Sequence, residues 1–319
     1  MPPPVRPQTL ADVSEDDLLA LIFPDLPTNS CVLVGPGDDT AQLAARSGAV
    51  LATTDAMVLG RDWKDEWSTG EDVGRKCVAQ NVADIAAMGG VATGLLITLV
   101  AAPETTVSWV RSFTQGLVAA AGEIGVAVLG GDLSSAPAGV RMISVTALGE
   151  AEQPIVRRSG ARAGDVIAVA GTLGRSAAGL ELLQRGTPEL APDLVAYHRR
   201  PRAAYDQGPV AARAGATAML DLSDGLVRDL GRIARASGVQ GCLDSDALAW
   251  AVDPLRPAVG DRAETCVLTG GEEHSLLATF PTPDAVPSGW KPIGTIGEGA
   301  GVVLDGEPQH GGGWDHFAG

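Results

Sequence analysis

The apolar positions of this chain repeat in two rhythms, one of period two or continuous and one of period near 3.6, and the alternation between them marks out its elements. Ser14 stands three residues before Asp17 and ahead of "LLALIF", the spacing of an N-capped short helix that Pro24 stops. "AVLATTDAMVLG" has strand character. "GEDVGRKCVAQNVADIAAMGG" opens on acids and closes on Gly89-Gly90, the polarity of a capped helix. "VATGLLITLVA" predicts a strand, "TTVSWVRSFTQGLVAAAGEIG" a helix, and "VAVLGGD" and "VRMISVTALGE" two further strands. Such alternation predicts an α/β or α+β fold.

Near residues 150 to 164 the rhythm breaks at "AEQPIVRRSGARAGD", a polar, basic, turn-rich link. A second set follows: the strand "DVIAVAGTLG", a helix from about Arg175 to Gln184, a helical stretch near 201 to 214, "ATAMLDLSDG", the helix "LVRDLGRIARAS", and later "ETCVLTGGEEHSLLATF". Two domains are expected, 1–150 and 151–319, and no short-period repeat is evident.

Composition narrows the class. At 319 residues the chain suits two cores better than one, and 45% hydrophobic with 19% charged residues is a globular balance. The 39 acids against 23 bases give a net charge of -16, which disfavours nucleic acid as partner unless cations intervene. Cys31, Cys77, Cys242 and Cys266 match neither a CxxC pair nor a zinc spacing and are expected to be buried thiols in a reducing compartment. The start "MPPPVRPQTLADVSEDD" has no apolar signal region, and "VATGLLITLVAAP" is too short to span a bilayer. A cytoplasmic protein without membrane or nucleic-acid partner is the expectation.

The candidate chemistry lies in recurring carboxylates. Apolar strands run directly into Asp55, Asp132, and Asp221 with Asp224, and open α/β sheets bind ligands beyond the carboxyl ends of their strands. Taken singly, such aspartates are ordinary turn formers or caps, and Asp39, beside Asp38 after a Gly-Pro-Gly turn, reads that way. Asp84 differs: helical spacing puts it on one partly apolar face with Cys77, Asn81 and Met88, where a carboxylate is desolvated unless a cation is near. Convergence of these acids implies metal, and oxygen ligands without paired His or Cys imply magnesium. His198, His274, His310 and His316 are scattered and take no metal role. There is no Walker loop, kinase signature or dinucleotide fingerprint; the glycine-rich turn of "AVAGTLGRSAAGLELL" is either an anion site at a helix start or a plain turn.

Taken in order, "GPGDDTA", "ATTDAMVLG", "NVADIAAMGG", "LGGD", "RRSGARAGD", "DLSDGL", "TGGEE" and "GWDHF" resemble the thiamine-monophosphate kinase family, from about residue 14 to 317. That family sits in a superfamily with aminoimidazole-ribonucleotide synthetase and selenophosphate synthetase. The resemblance implies a two-domain synthetase-like α/β fold of α+β type. Its N-terminal domain, 1–150, would bind ATP and magnesium and dimerise through its sheet, and its C-terminal α/β domain would span 151–319. It implies a homodimer in which several Mg²⁺ ions hold ATP while its γ-phosphoryl passes in line to thiamine monophosphate. Carried over by position, Asp38, Thr53, Thr54, Asp55, Asp84, Asp132, Asp221 and Asp224 resemble the metal shell, and Gly131, Arg158 and Ser223 the ATP contacts. Glu272 and Trp314 match the thiamine side, and Asp62 stands where many members have a substrate-touching histidine. Trp63 and Trp67 read as packing residues. The chain departs from the family pattern at Gly60-Arg61-Asp62-Trp63 and at Glu273-His274-Ser275-Leu276, both on the thiamine side. Two other readings stay open: an aminoimidazole-ribonucleotide-synthetase-like enzyme, and a non-catalytic Mg-nucleotide-binding module. The loop cysteine and lysine of selenophosphate synthetase have no match.

Overall fold

The computed structural model describes residues 6–36, 40–152, 154–309 and 312–313. The fold is a two-domain α/β architecture whose chain divides into two compact units, Met1–Asn81 with Ala92–Glu150, and Val82–Val91 with Ala151–Gly319. The second unit thus takes a short segment from inside the first 150 residues.

The first unit contains α1 (Glu15–Ile22), a two-stranded ribbon of β1 (Val32–Val34) and β2 (Gln42–Leu43), β3 (Leu51–Val58), most of α2 (Gly70–Ala87), β4 (Val91–Ala101), α3 (Val107–Glu123), β5 (Ala127–Ser135) and β6 (Arg141–Glu150). Its main sheet has the order β3-β6-β4-β5, with β3 antiparallel to β6 and β5 parallel to β4. Ser14 caps α1 as its spacing predicts: the Asp17 N–H donates to Ser14 Oγ at 3.1 Å while the Asp17 carboxylate accepts from the Ser14 N–H at 3.3 Å. Helices α2 and α3 touch through glycine. A Cβ on Gly116 would sit 2.1 Å from the Glu71 carbonyl oxygen and one on Gly74 2.2 Å from that of Phe113, so only bare backbone permits this approach.

The second unit adds β7 (Val166–Ala170), α4 (Arg175–Arg185), α5 (Pro192–Arg199), α6 (Gln207–Arg213), β8 (Ala218–Asp221), α7 (Leu226–Ser237), β9 (Gln240–Leu243), α8 (Ser245–Val252), α9 (Arg256–Val259), α10 (Arg262–Thr269), β10 (Leu276–Phe280), β11 (Trp290–Gly297), β12 (Gly301–Leu304) and β13 (Glu307–Pro308). Its sheet runs β13-β12-β9-β11-β7-β10-β8. Strands β7, β8 and β10 are buried along their whole length, which is why their sequences are apolar apart from Asp221 and Thr279 and do not alternate. Helix α7 buries Leu226, Leu230, Ile233 and Ala234 on one face. Ala86 and Ala87 from the end of α2 join this unit's core with Met219, Phe280 and Trp290, and α6 seats Gly208 where a Cβ would lie 2.0 Å from the Ala86 carbonyl oxygen. The stretch expected to be helical near 201 to 214 is helix only over α6, and α5 precedes it. Of the four cysteines, all free, Cys77 and Cys266 are buried as expected, whereas Cys31 and Cys242 are only partly so.

Candidate active site

In the first unit the site acids stand on strands. Alternation along β3 puts Thr53, Asp55 and Met57 on its more buried face, and Met57 Sδ lies 3.3 Å from Cys77 Sγ of α2. Asp55 therefore faces α2. Thr54 points the other way: its hydroxyl donates to the Val145 carbonyl at 3.1 Å and accepts from Thr146 Oγ1 at 3.1 Å. Adjacent strand residues do not share a face, so the hydroxyls of Thr53 and Thr54 are not brought to one point. After β3 the Asp62 carboxylate accepts the Val58 N–H at 2.7 Å and closes a turn. Trp63 is buried and stacks on Trp109 at 6.2 Å, the packing role expected of it.

Asp132 is presented by a bulge. The β4–β5 register pairs Leu95 with Val128 but Leu96 with Gly130, so β5 carries one extra residue just ahead of Gly131 and Asp132. A Cβ on Gly131 would lie 1.7 Å from the Ile97 carbonyl oxygen. The Asp132 carboxylate is exposed and accepts from Ser134 Oγ at 2.8 Å. Beside it opens a pocket of about 170 Å³ lined mostly by apolar side chains, among them Leu19, Ile97, Leu99, Val110 and Phe113, with Glu15, Thr114 and Asp132 as polar lining residues.

In the second unit, β8 and β10 lie side by side with Asp221 opposite Leu276, and the pairing continues past both strands. The Glu272 N–H donates to the Ser223 carbonyl and the His274 N–H to the Leu222 carbonyl, each at 2.8 Å. This joins Asp221, Ser223, Asp224 and Glu272, four of the sequence-predicted residues, in one loop pair. Glu272 and His274 have φ of 60° and 53°, left-handed values that are uncommon outside glycine. His274 Nδ1 lies 3.4 Å from Asp221 Oδ2, both side chains buried, and His198 Nδ1 lies 3.6 Å from Glu272 Oε2. Two histidines given no metal role thus lie against site acids.

The turn that carries Ser223 and Asp224 is held by Asp229, which sequence reasoning missed. One oxygen of this fully buried carboxylate accepts the N–H groups of Ser223, Asp224 and Gly225 at 3.1, 2.9 and 3.1 Å. Arg232 bridges the other Asp229 oxygen and the Asp224 carboxylate, and Arg228 Nε lies 4.0 Å from Asp224. Burial pushes the Asp229 carboxyl up to about 6, against the amide donors and Arg232, which favour its charged form. The signal available in the sequence was an acid in the first turn of α7, which reads equally as a partner of the helix dipole.

At the start of α4 the two possibilities left by the glycine-rich turn resolve. The Ser176 N–H donates to Glu273 Oε2 at 3.0 Å and the Arg175 N–H to Glu273 Oε1 at 3.3 Å, with Thr172 Oγ1 on the same oxygen. These amides already hold an anion, the protein's own buried carboxylate, whose pKa burial raises. They do not present an open anion site.

Among the described residues no group of three His, Cys, Asp or Glu side chains lies close enough to hold a metal ion. Asp55 and Asp132 belong to the first unit, and Asp84, half-buried on α2, belongs with Asp221 and Asp224 to the second. Arg158 has an exposed side chain, and its carbonyl accepts from Ser237 Oγ at 3.4 Å. Asp38 and Trp314 lie outside the described residues.

The chain matches the family models "AIR synthase related protein, N-terminal domain" over residues 37–151 and "AIR synthase related protein, C-terminal domain" over 162–304. It is 44% identical over 292 residues to the thiamine-monophosphate kinase of Mycobacterium tuberculosis, covering 90% of this chain and 86% of the relative. To that of Corynebacterium glutamicum it is 38% identical, covering 82% and 80%. Among solved structures, AaThiL complexed with AMPPCP and TMP superposes with a TM-score of 0.79 at 34% identity, covering 95% of this chain and 96% of that one. The thiamine-monophosphate kinase from Stenotrophomonas maltophilia K279a gives 0.79 at 33% identity, covering 92% and 96%.

Proposed function

Because this chain belongs to the thiamine-monophosphate kinase family, we infer that it transfers the γ-phosphoryl group of ATP to the phosphate of thiamine monophosphate, giving thiamine diphosphate and ADP. The observation that carries the reading is the AaThiL complex, a protein of this fold that binds the ATP analogue AMPPCP and TMP. The apolar pocket of the first unit supports it, since an uncharged heteroaromatic base suits its walls and Asp132 is among its lining residues.

The chemistry needs little beyond charge control. The acceptor is a phosphate monoester with a second pKa of about 6, so near neutral pH it is ionised already and no strong general base is required. The obstacle is the approach of two anions, which in a closed site repel several-fold more strongly than the roughly 1 kcal/mol per unit-charge pair at about 4 Å in water. Gly131, Arg158 and Ser223 are proposed to bind ATP, and Asp62, Glu272 and Trp314 the thiamine end, where a carboxylate and an aromatic face suit a cationic thiazolium.

Magnesium is part of the same proposal. The donors named for it, Asp38, Thr53, Thr54, Asp55, Asp84, Asp132, Asp221 and Asp224, are oxygen ligands throughout, and Asp132 is exposed, with Ser134 its one side-chain partner among the described residues, so the donor set fits a hard divalent cation. When bound, several such ions supply the positive charge that offsets phosphate repulsion. Thr54, turned away from Asp55, would take part through its backbone.

A homodimer is proposed through the first unit's sheet, whose edge strand β3 carries exposed Val58 and is preceded by exposed Val50. A cytoplasmic location goes with the reading; no helix among the described residues is long and apolar enough to cross a membrane. Incubation with ATP, Mg²⁺ and thiamine monophosphate should release ADP and thiamine diphosphate in equal amounts. Binding of Mg-ATP with no turnover of thiamine monophosphate would refute the kinase reading.

A further inference from the structure

The acids of the second unit are not alone. Arg232 spans Asp224 and Asp229 with two different guanidinium nitrogens, and Arg228 stands 4.0 Å from the same Asp224 oxygen. An arginine stays protonated at any physiological pH, so this is a permanent charge. The arrangement is not required to hold the turn, because the turn's three amides are taken by the Asp229 oxygen that Arg232 does not touch. Arg232 favours the charged form of Asp229 and also places charge beside Asp224.

We propose that Arg232 is the resident counter-cation of Asp224, a positioning residue that makes Asp224 accept a magnesium ion only together with the acceptor phosphate. This rests on the kinase reading above and on the assignment of Asp224 as an acceptor-side metal ligand. The two guanidinium groups match the charges of Asp224 and Asp229, and Asp221, whose charge also acts on Asp229 and Arg232, leaves the cluster with one negative charge. A divalent cation arriving by itself would turn that cluster positive and would meet a guanidinium already on the carboxylate it needs. A phosphate dianion arriving with it returns the cluster to its starting charge, and the guanidinium nitrogen that leaves Asp224 can turn its N–H groups toward the phosphate. Arg232 thereby couples metal occupancy at Asp224 to the presence of substrate, so that the position does not fill idly with Mg²⁺.

The test is a Mn²⁺ titration followed by EPR, without nucleotide, on the parent, Arg232→Gln and Arg232→Lys. Expected are a site about tenfold tighter for Mn²⁺ in Arg232→Gln than in the parent, from removal of one adjacent like charge, and parent-like binding in Arg232→Lys. A gain that persists when Asp224→Asn is added to Arg232→Gln, or no gain at all, overturns the proposal. A second test compares the parent with and without thiamine monophosphate, with Asp224→Asn as its control. Thiamine monophosphate should add one Mn²⁺ site to the parent and none to Asp224→Asn, and equal Mn²⁺ stoichiometry with and without thiamine monophosphate overturns it. Turnover separates the two levels: a parent that makes no thiamine diphosphate fails the kinase reading, whereas an active parent whose Asp224 site fills without thiamine monophosphate fails this inference only.

Discussion

Asp229 and Asp224 are joined by a hydrogen bond of 2.9 Å from the Asp224 N–H to Asp229 Oδ2, and through it a carboxylate with no solvent exposure orients one at the surface of the site. Replacing Asp229 with alanine leaves three amides without an acceptor and Arg232 without one of its partners. The expected loss is about 3–5 kcal/mol of unfolding free energy, read from urea denaturation. A loss below about 1 kcal/mol would mean that the turn holds itself.

The same residue gives a pH signature. Its pKa rises from 3.8 to about 6 on folding, so the native state binds this proton before the unfolded chain does, and the contribution to stability is full below about pH 4 and declines toward pH 6. The stability of the parent minus that of Asp229→Asn should therefore fall between about pH 4 and pH 6 and level off above. A difference that grows over this interval contradicts the assignment.

Asp132 is exposed and held only by Ser134 among its described side-chain partners, so Asp132→Asn should leave the melting temperature where it is. Activity should fall on the order of 100-fold in kcat/KM, with a higher Mg²⁺ concentration needed for half-maximal rate. Unchanged Mg²⁺ dependence would remove Asp132 from the metal set.

Gly131 meets the backbone of Ile97 with no room for a methyl group. Gly131→Ala must part β5 from β4 and is expected to cost about 3 kcal/mol in stability, measured by chemical denaturation, with loss of the Asp132 geometry. A variant as stable as the parent would show that the strands can separate freely here.

Thr114 lines the apolar pocket of the first unit. Thr114→Phe fills part of that space and should raise KM for ATP by about tenfold while leaving KM for thiamine monophosphate nearly unchanged. A rise confined to thiamine monophosphate would place the base elsewhere.

Much of the local structure was legible. The Ser14–Asp17 capping box, the span of α7 and the apolar runs of β7 and β10 all follow from residues within a few positions of one another. Helix α9 was not, because Pro254 and Pro257 interrupt the apolar period of that stretch. Strand β11 was not, because Pro292 and a register shift near Gly294 break its alternation. The role of Glu273 was hidden for a different reason: it lies beside a glycine turn, and the amides it holds are nearly 100 residues earlier in the chain.

The amino-acid sequence by itself determined many of the elements, the oxygen-rich character of the candidate ligands and the family, because caps, periodicity and ligand chemistry are properties of short stretches. Only the tertiary structure showed that Asp229 and Glu273 are scaffold, each holding the backbone amides of a turn. Asp224 and Asp229 are the same residue type five positions apart, and Glu272 and Glu273 are adjacent. What separates their roles is the direction each side chain takes once β8 lies beside β10 and α7 and α4 pack in place, and that depends on contacts between residues distant in the chain.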